Sequence, residues 1–149
     1  MKAFRLIDQR YEAEALTGEG AFVYGGRWNP PGYPMVYTAA NLSLAVLEIL
    51  VHVEDRRKLQ DYRLVRLDVP DNAIEELAVD SLQAGWTARL EVTRKLGRDW
   101  LTEARSLALL VPSVVLPDER NLLLNTSHPE MTRIRSGTPE PFRFDPRLL

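Results

Sequence analysis

From Gly20 to Val51 the chain carries only two side chains of the Asp, Glu, Lys, Arg and His set, Arg27 and Glu48, within GAFVYGGRWNPPGYPMVYTAANLSLAVLEILV. At an ordinary share of about 25% charged residues, roughly eight would stand in a window this long. A segment so depleted does not suit a solvated face; it belongs in a core or on the wall of a concavity. Its few polar features are those a binding concavity uses: the pair Gly25-Gly26, one cation, the rigid turn Asn29-Pro30-Pro31-Gly32, aromatic rings at Tyr24, Tyr33 and Tyr37, and one carboxylate.

The rest of the sequence sets the frame for that window. At 149 residues one domain spanning 1–149 is expected. With 45% hydrophobic and 27% charged residues it falls among globular chains able to bury a core. A net charge of −2 and a pI near 5.7 argue against a nucleic-acid binder that neutralises phosphates over a broad face. The chain has no cysteine, which excludes disulfides, thiolate nucleophiles and Cys-type zinc sites and fits a reducing compartment. His52 and His128, the two histidines, have no metal-ligand spacing, so no metal is expected. Lys2, Arg5, Asp8 and Arg10 interrupt the apolar run a secretory signal needs, and no stretch is long and apolar enough for a membrane span. A cytoplasmic location is the default expectation.

Local patterns place the window among secondary-structure elements. Phe4–Ile7 and Met35–Thr38 read as short strands, and Tyr62–Val69 alternates as a third before Pro70 ends it. Asn41 or Ser43 can cap a helix in which Leu42, Val46, Ile49 and Val53 share one face. Steps of about 100° put Glu48, His52 and Asp55 on a polar stripe of that helix. Residues 73–104 read as mainly helical, with Trp86, Leu90, Leu96 and Trp100 inward. LALLVPSVVLPDERNLLLN reads as two short β-runs punctuated by Pro112 and Pro117, and the tail with Ile134, Phe142 and Phe144 as a last strand.

Each polar feature admits two readings. Arg27, following two glycines, could hold a phosphate beside exposed backbone N–H groups, or could be a structural arginine paired with a carboxylate. Glu48 could form an exposed i,i+4 pair with His52, worth a few tenths of a kcal/mol, or face a pocket and stabilise positive charge on a sugar ring. No second acid lies nearby in sequence. The tyrosines could pack the core or offer a platform to a flat heterocycle. Ser113 could bond a substrate or satisfy local backbone. A serine-hydrolase reading is poor, since no G-x-S-x-G is present.

The ordered blocks GGRWNPPGYPMVYTA, LAVLEILVH and LLVPSVVLPDERNLLLNTSHPE resemble the RES domain family over nearly the whole chain, from Phe4 to His128. Thr126 departs from the pattern, where many members have proline. The resemblance implies an α+β fold similar to ADP-ribosyltransferases of the diphtheria-toxin type: a split, mixed β-core with flanking helices around an NAD-binding cleft. It also implies a toxin of a bacterial toxin–antitoxin pair that consumes NAD by hydrolysis, phosphorolysis or ADP-ribosyl transfer to a protein. Carried over, the family arginine falls on Arg27, the tyrosine on Tyr37, the glutamate on Glu48 and the serine on Ser113 rather than Ser106. NAD is then a substrate, with no resident cofactor. Arg27 is expected to hold its phosphates, Tyr37 to pack on the nicotinamide side, Glu48 to stabilise the oxocarbenium-like transition state, and Ser113 to hydrogen-bond the substrate. The implied partners are a helix-turn-helix antitoxin of Xre type and further copies of the toxin, without direct nucleic-acid or membrane binding. A mono-ADP-ribosyltransferase and a non-catalytic NAD-pocket module are the competing readings.

Overall fold

The computed structural model describes residues 1–149 throughout. Strands β1 (Lys2–Asp8), β2 (Val36–Ala39), β3 (Tyr62–Asp68), β4 (Ile74–Glu76), β5 (Ala108–Pro112), β6 (Arg120–Leu124), β7 (Arg135–Ser136) and β8 (Glu140–Phe142) form one sheet; helices α1 (Glu19–Tyr24), α2 (Leu42–His52) and α3 (Leu90–Glu103) accompany it. The strand order is β4-β5-β6-β2-β1-β3-β7, with β8 also on β3. Only the β4–β5 pair is parallel, so the architecture is the expected mixed α+β type. No helix is long and apolar enough to cross a membrane.

The sheet is split between β1 and β2. β1 pairs with β3 from Lys2↔Asp68 to Asp8↔Tyr62, and β2 pairs with β6 along its length. Between β1 and β2 the register has a single position, Phe4↔Ala39. Beyond it the two strands diverge, and backbone groups there need other partners. Arg5 fills part of the gap: its Nη1 donates to the Tyr37 carbonyl at 2.7 Å.

Burial explains the sequence pattern of the second half. Leu122 and Leu124 of β6 face one core cluster with Val36, Val65 and Leu67, while Leu123 faces another with Trp28, Met35, Trp100, Leu109 and Val111. Strands buried on both faces lose their alternation and read as continuous apolar runs, as LALLV and NLLLN do. Each such leucine contributes roughly 1.5–3 kcal/mol on burial. α2 closes a third cluster, its Leu44 and Ala45 packing with Leu6, Leu59, Leu64 and Phe144, and Val46, Ile49 and Val53 lying against them. Asn41 is its cap, with Oδ1 accepting from Leu44 N at 2.8 Å.

Two expectations are corrected. Residues 73–104 are not one helical stretch: a strand and two short 3-10 turns, Val79–Ser81 and Trp86–Ala88, precede the single α-helix Leu90–Glu103. Ile74–Glu76 instead takes the open edge of β5, and Leu77 N–H extends that pairing to the Leu110 carbonyl. An available sheet edge overrides local helix preference. Leu90 is exposed, whereas Trp100 is fully buried and Trp86 and Leu96 pack beside it. The tail gives two short strands, β7 and β8, both on β3. Phe144 anchors that segment edge-on to Phe142 and Tyr62, with ring centroids 5.0 and 5.7 Å away.

Candidate active site

A cleft of about 820 Å³ opens beside the split in the sheet. Arg5 of β1, Tyr37 and Thr38 of β2, Gly26 and Arg27 of the loop after α1, Glu48 and His52 of α2, and Asn121 of β6 all line it. Both charges of the depleted window therefore stand on one wall system. Tyr24 also lines the cleft and is 81% exposed at its rim, whereas Tyr33 is not on its surface. Glu14 and Glu19, which sequence proximity did not associate with the site, stand exposed at the same rim.

The loop bearing Arg27 is fixed from two sides. Gly25 has φ +72°, a conformation costly for other residues, and a Cβ on Gly26 would overlap the Tyr37 hydroxyl. That hydroxyl accepts from Trp28 N at 2.9 Å and donates to Asn29 Oδ1 at 2.7 Å. Asn29, fully buried, spans the turn by donating to the carbonyls of Ala21 and Tyr33. From the other side, α3 donates Thr93 Oγ1 to the Arg27 carbonyl at 2.6 Å and Arg94 Nε to the Gly26 carbonyl at 2.9 Å. Helix α3 thus holds the site loop. Desolvation pushes the Tyr37 phenol well above its ordinary pKa.

The Arg27 guanidinium donates to the Thr87 carbonyl at 3.0 Å and pairs with no carboxylate, which removes the structural ion-pair reading. The expected cradle of free backbone N–H groups is largely spent, however. Gly25 N–H goes to the Ala21 carbonyl, Gly26 N–H to the Asn29 carbonyl and Trp28 N–H to Tyr37. The tight turn consumes most of its own donors and leaves the Arg27 N–H without an acceptor, so the guanidinium groups are the main means of holding an anion. The second such group is Arg5, which pattern reading passed over as part of a strand. Its Nε is enclosed without a partner, no carboxylate faces it, and burial lowers its pKa to about 10. A cation amid the apolar run FRLI was the available signal.

Glu48 does not form the surface pair with His52. His52 Nδ1–H instead donates to the Glu48 backbone carbonyl at 2.7 Å. The carboxylate turns toward the β5–β6 hairpin, where its Oε1 accepts from Ser113 Oγ at 2.8 Å and from Asn121 Nδ2 at 2.7 Å. Ser113 is fully buried behind Glu48 and off the cleft wall, so it meets the glutamate and not the cleft interior. Ser106 is remote from this group: it accepts from Trp100 Nε1 and donates to the Ala108 carbonyl. Asn121 had no distinguishing sequence signal. No group of three or more His, Cys, Asp or Glu side chains is arranged to hold a metal ion.

A family model, the RES domain, matches residues 2–145. The chain belongs to the RES domain family. It is 40% identical to "Toxin Res" of Yersinia enterocolitica, over 99% of both chains, and 38% identical to "Prs ADP-ribosylating toxin" of Sphingobium sp., over 93% of this chain and 89% of that one. A shorter match, 35% identical over 58% of this chain and 50% of the other, is to "NAD(+) phosphorylase MbcT" of Mycobacterium tuberculosis. The solved M. tuberculosis MbcT–MbcA toxin–antitoxin complex contains a chain that superposes with a TM-score of 0.78 at 20% identity, covering 95% of this RES chain and 83% of that chain. The fold is shared at that distance. At Thr126, the position that departs from the family pattern, Asn125 Oδ1 accepts from Ser127 N at 3.1 Å, so an Asx turn serves without proline.

Proposed function

We propose that this RES protein is the toxin of a bacterial toxin–antitoxin pair and that it consumes NAD by breaking the nicotinamide–ribose bond. The observation that carries this reading is the Glu48 carboxylate, held by two donors on one oxygen, in a cleft with two guanidinium groups that have no carboxylate partner. Arg27 and Arg5 suit the pyrophosphate of a dinucleotide, and a cleft of this volume suits a ligand of that size. As the bond from the ribose anomeric carbon to the pyridinium nitrogen breaks, its electron pair neutralises the ring. Nicotinamide leaves as a neutral molecule and needs no general acid. Glu48 stabilises the positive charge left on the sugar and orients the acceptor. Water as acceptor gives ADP-ribose and a proton; phosphate gives ADP-ribose 1″-phosphate. Tyr37, whose hydroxyl is committed to Trp28 and Asn29, contributes its ring beside the nicotinamide and rigidity to the loop.

The names of the relatives support NAD chemistry, and the Prs ADP-ribosylating toxin, similar over most of the chain, favours a second reading in which a protein side chain is the acceptor. Incubating purified protein with NAD, with and without phosphate and with cell lysate, separates ADP-ribose, ADP-ribose 1″-phosphate and labelled protein. Glu48→Gln should keep the fold and lose NAD consumption; full activity in that variant would refute the mechanism. As a single RES domain acting in the cytoplasm, the toxin would be held inactive by an Xre-type helix-turn-helix antitoxin covering the cleft mouth, where Tyr24 and Val51 expose apolar surface. Self-association of the toxin is part of the same proposal, testable by light scattering with and without the antitoxin.

A further inference from the structure

Glu48 sits on α2, yet the groups that decide where its carboxylate points come from the β5–β6 hairpin. Ser113 follows β5 directly, and Asn121 lies in β6 opposite Val111. Both donate to the same oxygen, Oε1, and Oε2 receives no hydrogen bond. A serine hydroxyl has one proton and two lone pairs. In Ser113 the proton goes to Glu48, while the oxygen accepts from Val115 N at 3.0 Å and Leu116 N at 3.2 Å. Ser113 is saturated and buried, with nothing left to donate to a substrate. Asn121 differs: it lies on the cleft wall and its amide carries a second N–H.

We infer that Asn121 is a positioning residue, which together with Ser113 locks Glu48 in one rotamer so that Oε2 alone is presented to the reacting ribose. The inference rests on the reading of Glu48 as the catalytic carboxylate. An unclamped glutamate on an exposed helix face would sample several rotamers, and catalysis demands placement within a fraction of an ångström. Two donors on one oxygen restrict both rotation of the carboxylate plane and swing of the side chain. The same hairpin is tied to α2 once more at its start, where Asn41 Nδ2 donates to Glu119 Oε2 at 2.6 Å. That third tie joins the same two elements without touching Glu48, and so provides a structural control.

Asn121→Ala should lower kcat on the order of a hundredfold with KM for NAD little changed, whereas Glu119→Ala, which cuts only the structural tie, should retain kcat. Asn121→Asp places a second carboxylate against Glu48. The pair can then share one proton at lower pH, so its kcat should rise as pH falls, a dependence that a purely structural role would not create. A readout independent of turnover is the carboxyl carbon resonance of Glu48 in protein labelled at glutamate and assigned with Glu48→Gln. It should move in Asn121→Ala and Ser113→Ala and stay in Glu119→Ala. If Asn121→Ala and Glu119→Ala lose activity only in proportion to their loss of folded protein, or if the resonance does not move, the clamp is refuted. If the wild-type protein leaves NAD untouched while the resonance moves as expected, the clamp stands and the NAD reading falls.

Discussion

At the scale of single residues, Arg5 and Tyr37 show how the cleft trades stability for a charged interior. A guanidinium enclosed without a carboxylate is costly to fold, since its partial desolvation is not offset by a partner. Arg5→Met should therefore keep or raise the thermal midpoint while raising KM for NAD, measured by denaturation and steady-state kinetics. A loss of stability with unchanged KM would make Arg5 structural. Tyr37 is the opposite case. Its folded pKa is raised above the ordinary 10, so the stabilisation it brings is complete below that pH. Above it the unfolded chain ionises first, the native state binds more protons, and stability falls as pH climbs toward the folded value. Tyr37→Phe should be less stable near neutrality by about 1–3 kcal/mol, because Trp28 N–H loses its acceptor, and should lose stability less steeply above pH 10. Denaturant titrations of both proteins across that range check the sign.

At the scale of elements, α3 acts on the site through the loop that it grips. Gly97 lies against the Trp28 carbonyl with no room for a Cβ. Helix preference alone would favour Gly97→Ala by about 1 kcal/mol. The clash reverses that sign: the substitution should destabilise by roughly 1–3 kcal/mol and weaken NAD binding, since Trp28 follows Arg27 directly. Thermal denaturation and KM measured together test it, and a stabilised variant with normal KM would show that α3 does not set the loop. The β5–β6 hairpin has the complementary role at the other end of the cleft. α3 fixes the cation loop and the hairpin fixes the carboxylate, although neither element lies in the charge-poor window.

At the scale of the whole molecule, a chain of net charge −2 must concentrate an anionic dinucleotide into one cleft. Arg5 and Arg27 do this locally against the net charge, with low-dielectric walls focusing their field. KM for NAD should rise with ionic strength while kcat holds, and Arg27→Ala should flatten that dependence; a salt-independent KM in the wild type would count against phosphate binding by these groups. The split of the sheet is what makes the cleft possible. One paired position joins β1 to β2, and the space where further pairing would have run receives Arg5.

Much of this organisation was legible in the residues themselves. The charge-poor stretch pointed to a core or a concavity, a cap at Asn41 or Ser43 and the apolar face of α2 followed from spacing, and the paired apolar runs announced buried strands. Periodicity and capping are local physics, decided within a few residues of chain. What the sequence left open were questions of partnership across long separations. Whether Glu48 faced His52 four residues away or Ser113 and Asn121 on the hairpin is a competition that helical geometry alone cannot decide. Whether Arg27 stood beside free N–H groups depended on the turn's own hydrogen bonds, and whether Arg5 was surface or cleft depended on β1 parting from β2. The sequence by itself determined which groups were available; only the tertiary structure decided which of them met, because a hydrogen bond is satisfied by proximity in space and not by order along the chain.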